Sequence, residues 1–449
     1  MGKLAAEWMI EGEPTLDMFA WDMARFGHWA GKSFTKARVR DQYTHRFKIH
    51  FPNEERTAGR PVRTRPIYEM QKEMGAVSGL SFGWEHPLWF AVPGEPKAET
   101  TGFTRQNWWA PVGREARMLR ETVGLIDISN FAKYTVKGPG AESWLNALFA
   151  NRMPSLPGRS CLTPLIGKRG GIAGDFTVTK LADDDYIVIG SGMAERFHQR
   201  FFRAVPLPQD TRFESVTETM CGFNIAGPRS RELLQSLTNA SLATADFPFM
   251  RSARIRIAGV EVIAIRVSFT GDLGWELHCD ASDQVTLYTA LLTAAKGLSG
   301  GPVGSRALGA LRIEKGYGSW GREYSPEYWP QEVGLDRLIK GDKEFLNKNA
   351  WLAIKDKPAR DVLVCLEIDA KTADATGGEP IFLPDGTPVG QVSSGAYGYS
   401  VGKSLALGYV KATHAKPGMA LSVAVLGLPH SARLLAEPSF DPTGARLRA

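Results

Sequence analysis

Between Gln106 and Lys357 the chain alternates between two rhythms of apolar and polar residues, and the order of those rhythms repeats. Residues 115–123 carry apolar positions at helical spacing and stop at Gly124, which predicts a helix ended by that glycine. Lys133-Tyr134-Thr135-Val136-Lys137 then alternates as a strand and turns at Gly138-Pro139 into a helix with Trp144, Leu145 and Leu148 on one face. The same unit returns as a strand over 222–226, a turn at Gly227-Pro228, and apolar positions at Leu233, Leu234 and Leu237. A hairpin follows each copy. The first runs from Gly171 to Gly190 and turns at Ala182-Asp183-Asp184-Asp185; the second pairs residues 253–257 with 260–267 about Ala258-Gly259. A duplicated strand–turn–helix unit predicts an α+β fold of two related halves facing each other across a cleft, a natural place for a ligand. Helical spacing resumes over 305–315.

Beyond Pro358 the segments become short and alternating, broken by Pro384-Asp385-Gly386, Gly390, Gly395, Gly402 and Pro417-Gly418, which predicts a small antiparallel β-barrel. The last residues, 441–449, read as a frayed tail. Residues 1–105 are aromatic, basic and punctuated by proline. Seven of the twelve tryptophans lie at or before Trp109, and they read as a packed layer or as an aromatic wall over a pocket, with packing the stronger reading because large rings bury the most area. The division is therefore 1–105, 106–357 and 358–449.

The chain has 449 residues, 43% hydrophobic and 23% charged, enough for two or three soluble domains. Cys161, Cys221, Cys279 and Cys365 are widely separated, which excludes a zinc ribbon or iron–sulfur spacing and fits a reducing cytoplasm. The start carries no apolar run long enough for a leader or a membrane span. A net charge of +6, spread along the chain, reads as solvated surface or as a mild attraction for an anion, not as a nucleic-acid face. Eight histidines without ligand spacing predict no metal. Neither Gly-x-Gly-x-x-Gly after a strand nor a phosphate-binding Gly-x-x-x-x-Gly-Lys motif is present, so no flavin or nicotinamide site is expected.

Candidate chemistry concentrates in two runs, Arg169-Gly170-Gly171-Ile172-Ala173-Gly174-Asp175-Phe176-Thr177-Val178 and Gly271-Asp272-Leu273-Gly274-Trp275-Glu276. Each fixes one carboxylate at a set distance from glycines that turn the backbone tightly. Carboxylates held this way can hydrogen-bond a flat, nitrogen-rich ring. The pair resembles the signature of the tetrahydrofolate-dependent aminomethyltransferase family, the glycine-cleavage T-protein, and within it the folate half of the dimethylglycine and sarcosine dehydrogenases. The stretches Phe47–Arg56 and Gly83–Pro87 resemble the tail of those dehydrogenases' flavin half, so the chain looks like a dehydrogenase shortened to its folate portion.

That resemblance implies tetrahydrofolate as co-substrate in the cleft between the halves, with Glu276 holding the pterin edge and Asp175 beside the reactive N5. Read without it, Glu276 is an exposed hairpin glutamate and Asp175 a turn aspartate capping backbone amides. Arg306, at a helix start, would by resemblance meet the folate carboxylate or support the pterin, although Ala307 stands where the T-protein has aspartate. Phe269 stands where the T-protein has tyrosine. In the run Glu314–Tyr324, Tyr317, Trp320, Arg322 and Tyr324 face the one-carbon site or serve as packing. The expected reaction moves a methyl group from a small methylated donor to N5. The alternatives are capture of a one-carbon unit made by a separate flavoprotein partner, and a folate-binding subunit without turnover.

Overall fold

The computed structural model describes residues 1–449. Helices α1 (Gly2–Glu11) and α2 (Lys32–Thr44) open the chain and bury no side chain of their own. Helix α3 (Tyr68–Glu73) leads into a two-stranded ribbon, β1 (Ala76–Ser81) and β2 (Trp84–Phe90). Packing accounts for Trp89, which is 0% exposed, whereas Trp21 is 61% exposed.

Helix α4 (Trp109–Glu121) begins six residues before the expected start and ends before Gly124, which opens strand β3 (Gly124–Asp127). The glycine is needed there for space. A Cβ at 124 would overlap Leu119 and Val303, so the strand can lie against α4 only without one.

The first half follows: β4 (Ala132–Lys137), α5 (Ala141–Leu148), β5 (Arg159–Ile166), β6 (Ile172–Ala182), β7 (Asp185–Gly190), α6 (Glu195–Phe202) and β8 (Arg212–Ser215). The second half holds β9 (Met220–Ala226), α7 (Ser230–Gln235), β10 (Ser252–Ile257), β11 (Val260–Ile265), β12 (Gly274–Asp280), α8 (Gln284–Gly297), β13 (Gly301–Val303) and α9 (Ser305–Glu314). The first sheet has the order β5-β6-β7-β4-β8 and the second β10-β11-β12-β9-β3-β13. The runs β5-β6-β7-β4 and β10-β11-β12-β9 are the same antiparallel meander made twice, as the sequence repeat predicts.

Gly138 (φ 119°) and Gly227 (φ 127°) occupy corresponding corners. In each case a side chain would run into a backbone carbonyl of a neighbouring segment. The glycine of the repeated Gly-Pro is thus required by close approach as well as by conformation.

Each half has its own core. Tyr134, Trp144, Phe149, Phe176 and Phe202 fill the first, and Phe223, Trp275, Leu287 and Tyr288 the second. The halves meet through Ile187 and Ile189 of β7 against Ile263 and Ile265 of β11. Their edges are stitched by Ser160 N to Met250 O (3.0 Å) and Ser252 N to Gly158 O (2.9 Å).

After α10 (Lys348–Leu352) a closed barrel forms from β14 (Asp361–Ile368), β15 (Pro380–Phe382), β16 (Pro388–Gly398), β17 (Lys403–Lys411), β18 (Ala420–Val425) and β19 (Leu428–Leu434). Helix α9 lies between the second half and the barrel, with Ala307, Ala310 and Leu311 packed against α4 and Tyr399.

The tail departs from the expectation of fraying. It folds into α11 (Ala445–Arg448) with Leu447 buried, Asp441 paired to Lys315 at 3.0 Å, and Arg446 paired to Asp272 at 2.7 Å. Its polar composition reads as solvated, but those charges are spent on partners in the second half. No helix is long and apolar enough to cross a membrane.

Candidate active site

Asp175 sits on β6 opposite Pro164 of β5. The glycines before it make room for what packs on the strand. Gly170 turns at φ 85°, and Gly171 lies against the Pro326 backbone, while Ile172 N donates to Tyr328 O at 3.1 Å. Gly174 leaves space for the rings of Phe176 and His198, and His198 is fixed to Ala173 O at 3.1 Å. The loop 325–328 is thereby clamped across the start of β6.

Burial pushes the Asp175 carboxyl up to about 6, opposed only by a backbone hydrogen bond. Tyr324, at the head of the same loop, is half-buried, as Asp175 is. Its phenol is pushed well above the usual range, first by burial and then by the charge of Asp175. Near neutral pH the pair therefore presents an ionised carboxylate of raised basicity beside a protonated phenol.

The loop from Gly316 to Tyr324 is held from below by a buried ion pair. Arg312 Nη1 donates to Glu323 Oε2 at 2.8 Å and to Tyr317 O at 3.0 Å. Glu323 also accepts from Ser319 N (2.9 Å), from Ser393 Oγ (2.8 Å) and from the Ser394 hydroxyl of β16. Trp320 is 3% exposed and packs edge-on against Phe19 (5.0 Å) and His198 (5.1 Å), which places it in the apolar layer behind the loop. Tyr317 stacks on Phe269 with centroids 6.0 Å apart and planes 22° from parallel. Arg322 is exposed and pairs with no carboxylate; it lines a cleft along α9 with Trp108, Trp109 and Tyr397.

Glu276 lies on β12 between Ile265 of β11 and Asn224 of β9, its side chain 15% accessible. His278, two residues on and fully buried, brings Nε2 to 3.5 Å from the Glu276 carboxylate. The turn before it is set by Gly271 (φ 83°), over which the Lys315 chain lies.

Asp272 is turned into the protein and is 0% exposed. It pairs with Arg120 and Arg446, and Arg120 also holds Glu314 at 2.7 Å and lies 3.6 Å over the Phe440 ring. Arg306 is engaged as well, gripping Glu99 through two bonds of 2.7 and 2.6 Å beside Trp108. The doubt raised by Ala307 is answered by a glutamate from the N-terminal segment.

The structure thus brings Tyr324 within electrostatic reach of Asp175, and stacks Tyr317 on Phe269. Trp320 stands behind the loop, and Arg306 and Arg322 face the α9 cleft. Arg120, Arg312, Glu323 and His278 do not stand out in the sequence: Arg120 finds Asp272 and Glu314 only in the fold, while Arg312, Glu323 and His278 meet near neighbours through an irregular loop or along a strand, where no periodicity marks the pairing. The one available signal is a charge amid apolar neighbours, as in Leu311-Arg312-Ile313.

Residues 67–343 match the GCVT N-terminal domain. The chain belongs to the glycine-cleavage T-protein family. Residues 362–441 match the glycine cleavage T-protein C-terminal barrel domain, and 11–64 the central domain of FAD dependent oxidoreductases. An aminomethyltransferase of Thermotoga petrophila is 30% identical over 82% of this chain and 94% of its own. Mitochondrial dimethylglycine dehydrogenase of Mus musculus is 34% identical over 100% of this chain and 52% of its own, so the chain spans about half the length of that relative. The crystal structure of aminomethyltransferase T from Bartonella henselae shares the fold, with a TM-score of 0.73 at 22% identity over 85% of this chain and 98% of that one. The family and the α+β architecture with its C-terminal barrel agree with the resemblance read from the sequence.

Proposed function

We propose that this chain is a tetrahydrofolate-dependent one-carbon transferase that moves a methyl group from a small methylated donor to N5 of tetrahydrofolate. The observation that carries the reading is the half-buried Asp175 carboxyl, fixed on β6 where the loop 325–328 is clamped across the strand, pushed up to about 6 and near enough for its charge to act on the Tyr324 phenol. A base for N5 must hold its proton less tightly than a strong base and still be ionised at neutral pH, and a value near 6 meets both demands.

In the proposed step the N5 lone pair attacks the methyl carbon. The bond from carbon to the donor heteroatom breaks and its electron pair leaves with the donor. The N5 proton passes to Asp175, and the Tyr324 hydroxyl hydrogen-bonds the departing atom. Glu276 accepts from the N–H groups of the pterin edge, and Phe269 with Tyr317 offers a stacked aromatic face to the ring. Arg312 and Glu323 act on this step indirectly by fixing the Tyr324 loop.

A second reading is favoured by one feature of the N-terminal segment. Residues 11–64 match a flavoprotein domain, and α1 and α2 bury nothing while Met9, Ile10, Met23 and Phe47 stand in solvent. In that reading a separate flavoprotein docks there and supplies an iminium or formaldehyde, and the same Asp175 site captures it as methylene-tetrahydrofolate.

One experiment separates the two. Purified chain is incubated with tetrahydrofolate and a panel of methylated amines, sulfonium compounds and methoxybenzoates, and the folate product is identified by mass spectrometry. Methyl-tetrahydrofolate from the chain alone supports the first reading. Product only when formaldehyde is supplied, and then as methylene-tetrahydrofolate above the uncatalysed rate, supports the second.

A further inference from the structure

Strand β17 is buried on both of its faces. Ala406 and Val410 fill the barrel interior, so the alternation of the strand turns Tyr409 outward, into the apolar layer that holds Trp320, Tyr324 and Tyr328. Its ring stacks on that of Tyr328, with centroids 3.5 Å apart and planes 1° from parallel, and its hydroxyl donates to the Glu323 carbonyl. Phenylalanine would fill the same space. The hydroxyl serves one partner, the main chain beside Tyr324, and at 4% exposure the residue has no water to turn to instead.

The neighbouring strand reaches Glu323 by another route. The pairing of β16 with β17 shifts register between Val392 and Ser394, which makes Ser393 the extra residue of a bulge. In a regular strand consecutive side chains point to opposite faces. Here both hydroxyls arrive at the same carboxylate oxygen, Glu323 Oε1: Ser393 Oγ at 2.8 Å, and the Ser394 hydroxyl beside it. The barrel thus grips Glu323 by its carbonyl and by its carboxylate, while Arg312 of α9 holds Oε2 at 2.8 Å.

The other end of the loop is held without the barrel. Tyr317 O accepts from Arg312 Nη1 at 3.0 Å, and the Tyr317 ring lies on Phe269. Between the two ends the loop closes on itself, with Gly321 N donating to Tyr324 O at 2.8 Å and Tyr324 N to Ser319 O at 3.1 Å. A shift at Glu323 therefore carries Tyr324, the next residue, more than it carries Tyr317.

We propose that Tyr409, with the bulged Ser393-Ser394 pair, makes the barrel a positioning element of the transfer site: it fixes Glu323 and so sets where the Tyr324 hydroxyl meets the reacting atoms. Tyr409 touches neither folate nor donor and is a positioning residue, not a catalytic one. The effect on transfer rests on the reading that Tyr324 assists the departing atom; the anchoring of the loop does not, and it is measurable without folate.

Tyr409→Phe keeps the ring and loses the hydroxyl, and Tyr409→Leu loses both. Hydrogen exchange followed by mass spectrometry over residues 319–328, on the full chain without folate, should be about tenfold faster in Tyr409→Phe and faster still in Tyr409→Leu. Turnover at saturating tetrahydrofolate should fall about tenfold and about a hundredfold in the same order, because the reacting groups lose their alignment, while calorimetric folate affinity stays within about twofold of the wild type. Ser393→Ala together with Ser394→Ala acts on the same glutamate, so its effect on turnover should combine with that of Tyr409→Phe to less than the product of the two. Val423→Ala loosens the barrel core on β18, away from the loop, and should leave loop exchange and turnover at the wild-type level, which separates positioning from loss of barrel stability. Wild-type loop exchange in a folded Tyr409→Leu overturns the anchoring, whether or not the chain turns over. Faster exchange with unchanged turnover overturns the link to transfer. A wild-type chain that transfers no one-carbon unit contradicts the functional reading alone, and loop exchange then decides the anchoring.

Discussion

Gly171 and the Pro326 carbonyl oxygen pack so closely that a side chain at 171 would overlap the Pro326 backbone. That contact, with the hydrogen bond from Ile172 N to Tyr328 O, sets where the loop behind Tyr324 crosses β6. It explains physically why the second glycine of the Gly-Gly pair precedes the catalytic candidate. Gly171→Ala should therefore cost about 1–3 kcal/mol of stability by overpacking. Turnover should fall more than folate affinity, because Tyr324 moves while Glu276 does not. Urea denaturation and steady-state kinetics on the same variant check both parts.

The raised Asp175 carboxyl has a consequence for stability with a definite sign. The folded chain binds this proton more tightly than the unfolded chain, where aspartate titrates near about 4. The contribution to stability is complete below about 4 and is lost as pH rises through about 6. Asp175→Asn should thus be more stable than the wild type at neutral pH by an amount on the order of 2 kcal/mol, with the gap closing below about pH 4. Turnover runs the opposite way, rising through about 6 as the base form appears. Denaturation midpoints and a rate profile over the same pH range give both curves.

Arg120 neutralises two buried carboxylates at once, Asp272 and Glu314. Arg120→Met should cost about 3–5 kcal/mol, since it strands buried charge instead of merely removing a contact. Because Asp272 belongs to the turn before Glu276, folate affinity should fall with stability. Thermal unfolding with and without tetrahydrofolate measures the two together.

Much of this fold is legible in the chain because it rests on local rules. Gly138-Pro139 and Gly227-Pro228 mark corresponding corners, and the alternation around Ala258-Gly259 gives a hairpin without any tertiary information. The place of Asp175 on a strand just after a glycine turn is legible for the same reason: its glycines are neighbours in sequence and in space. What escapes is set by distant contacts. Arg306 pairs with Glu99, and Trp320 is claimed by Phe19 and His198. The tail docks because Asp441 and Arg446 find Lys315 and Asp272, and nothing in a short polar stretch announces such partners. Gly124 reads as a helix stop yet opens β3, because a glycine that begins a tightly packed strand and one that ends a helix look alike in sequence.

In the proposed function Glu276 accepts charge-assisted hydrogen bonds from the pterin edge. Truncation in Glu276→Ala should weaken tetrahydrofolate binding by roughly 1.5–3 kcal/mol, about ten- to a hundredfold, with the fold retained. Unchanged affinity by calorimetry would remove Glu276 from the site.

The central claim is that Asp175 acts on the transfer step itself. Its most direct test is the turnover of Asp175→Asn, measured with saturating tetrahydrofolate and whichever one-carbon donor the wild type accepts, alongside calorimetric folate affinity. Asparagine keeps the shape and the turn but has neither charge nor basicity, so turnover should fall by roughly 10²-fold or more while folate affinity changes far less. An Asn variant that turns over at close to the wild-type rate would contradict the account and leave Asp175 as a residue that only shapes the strand.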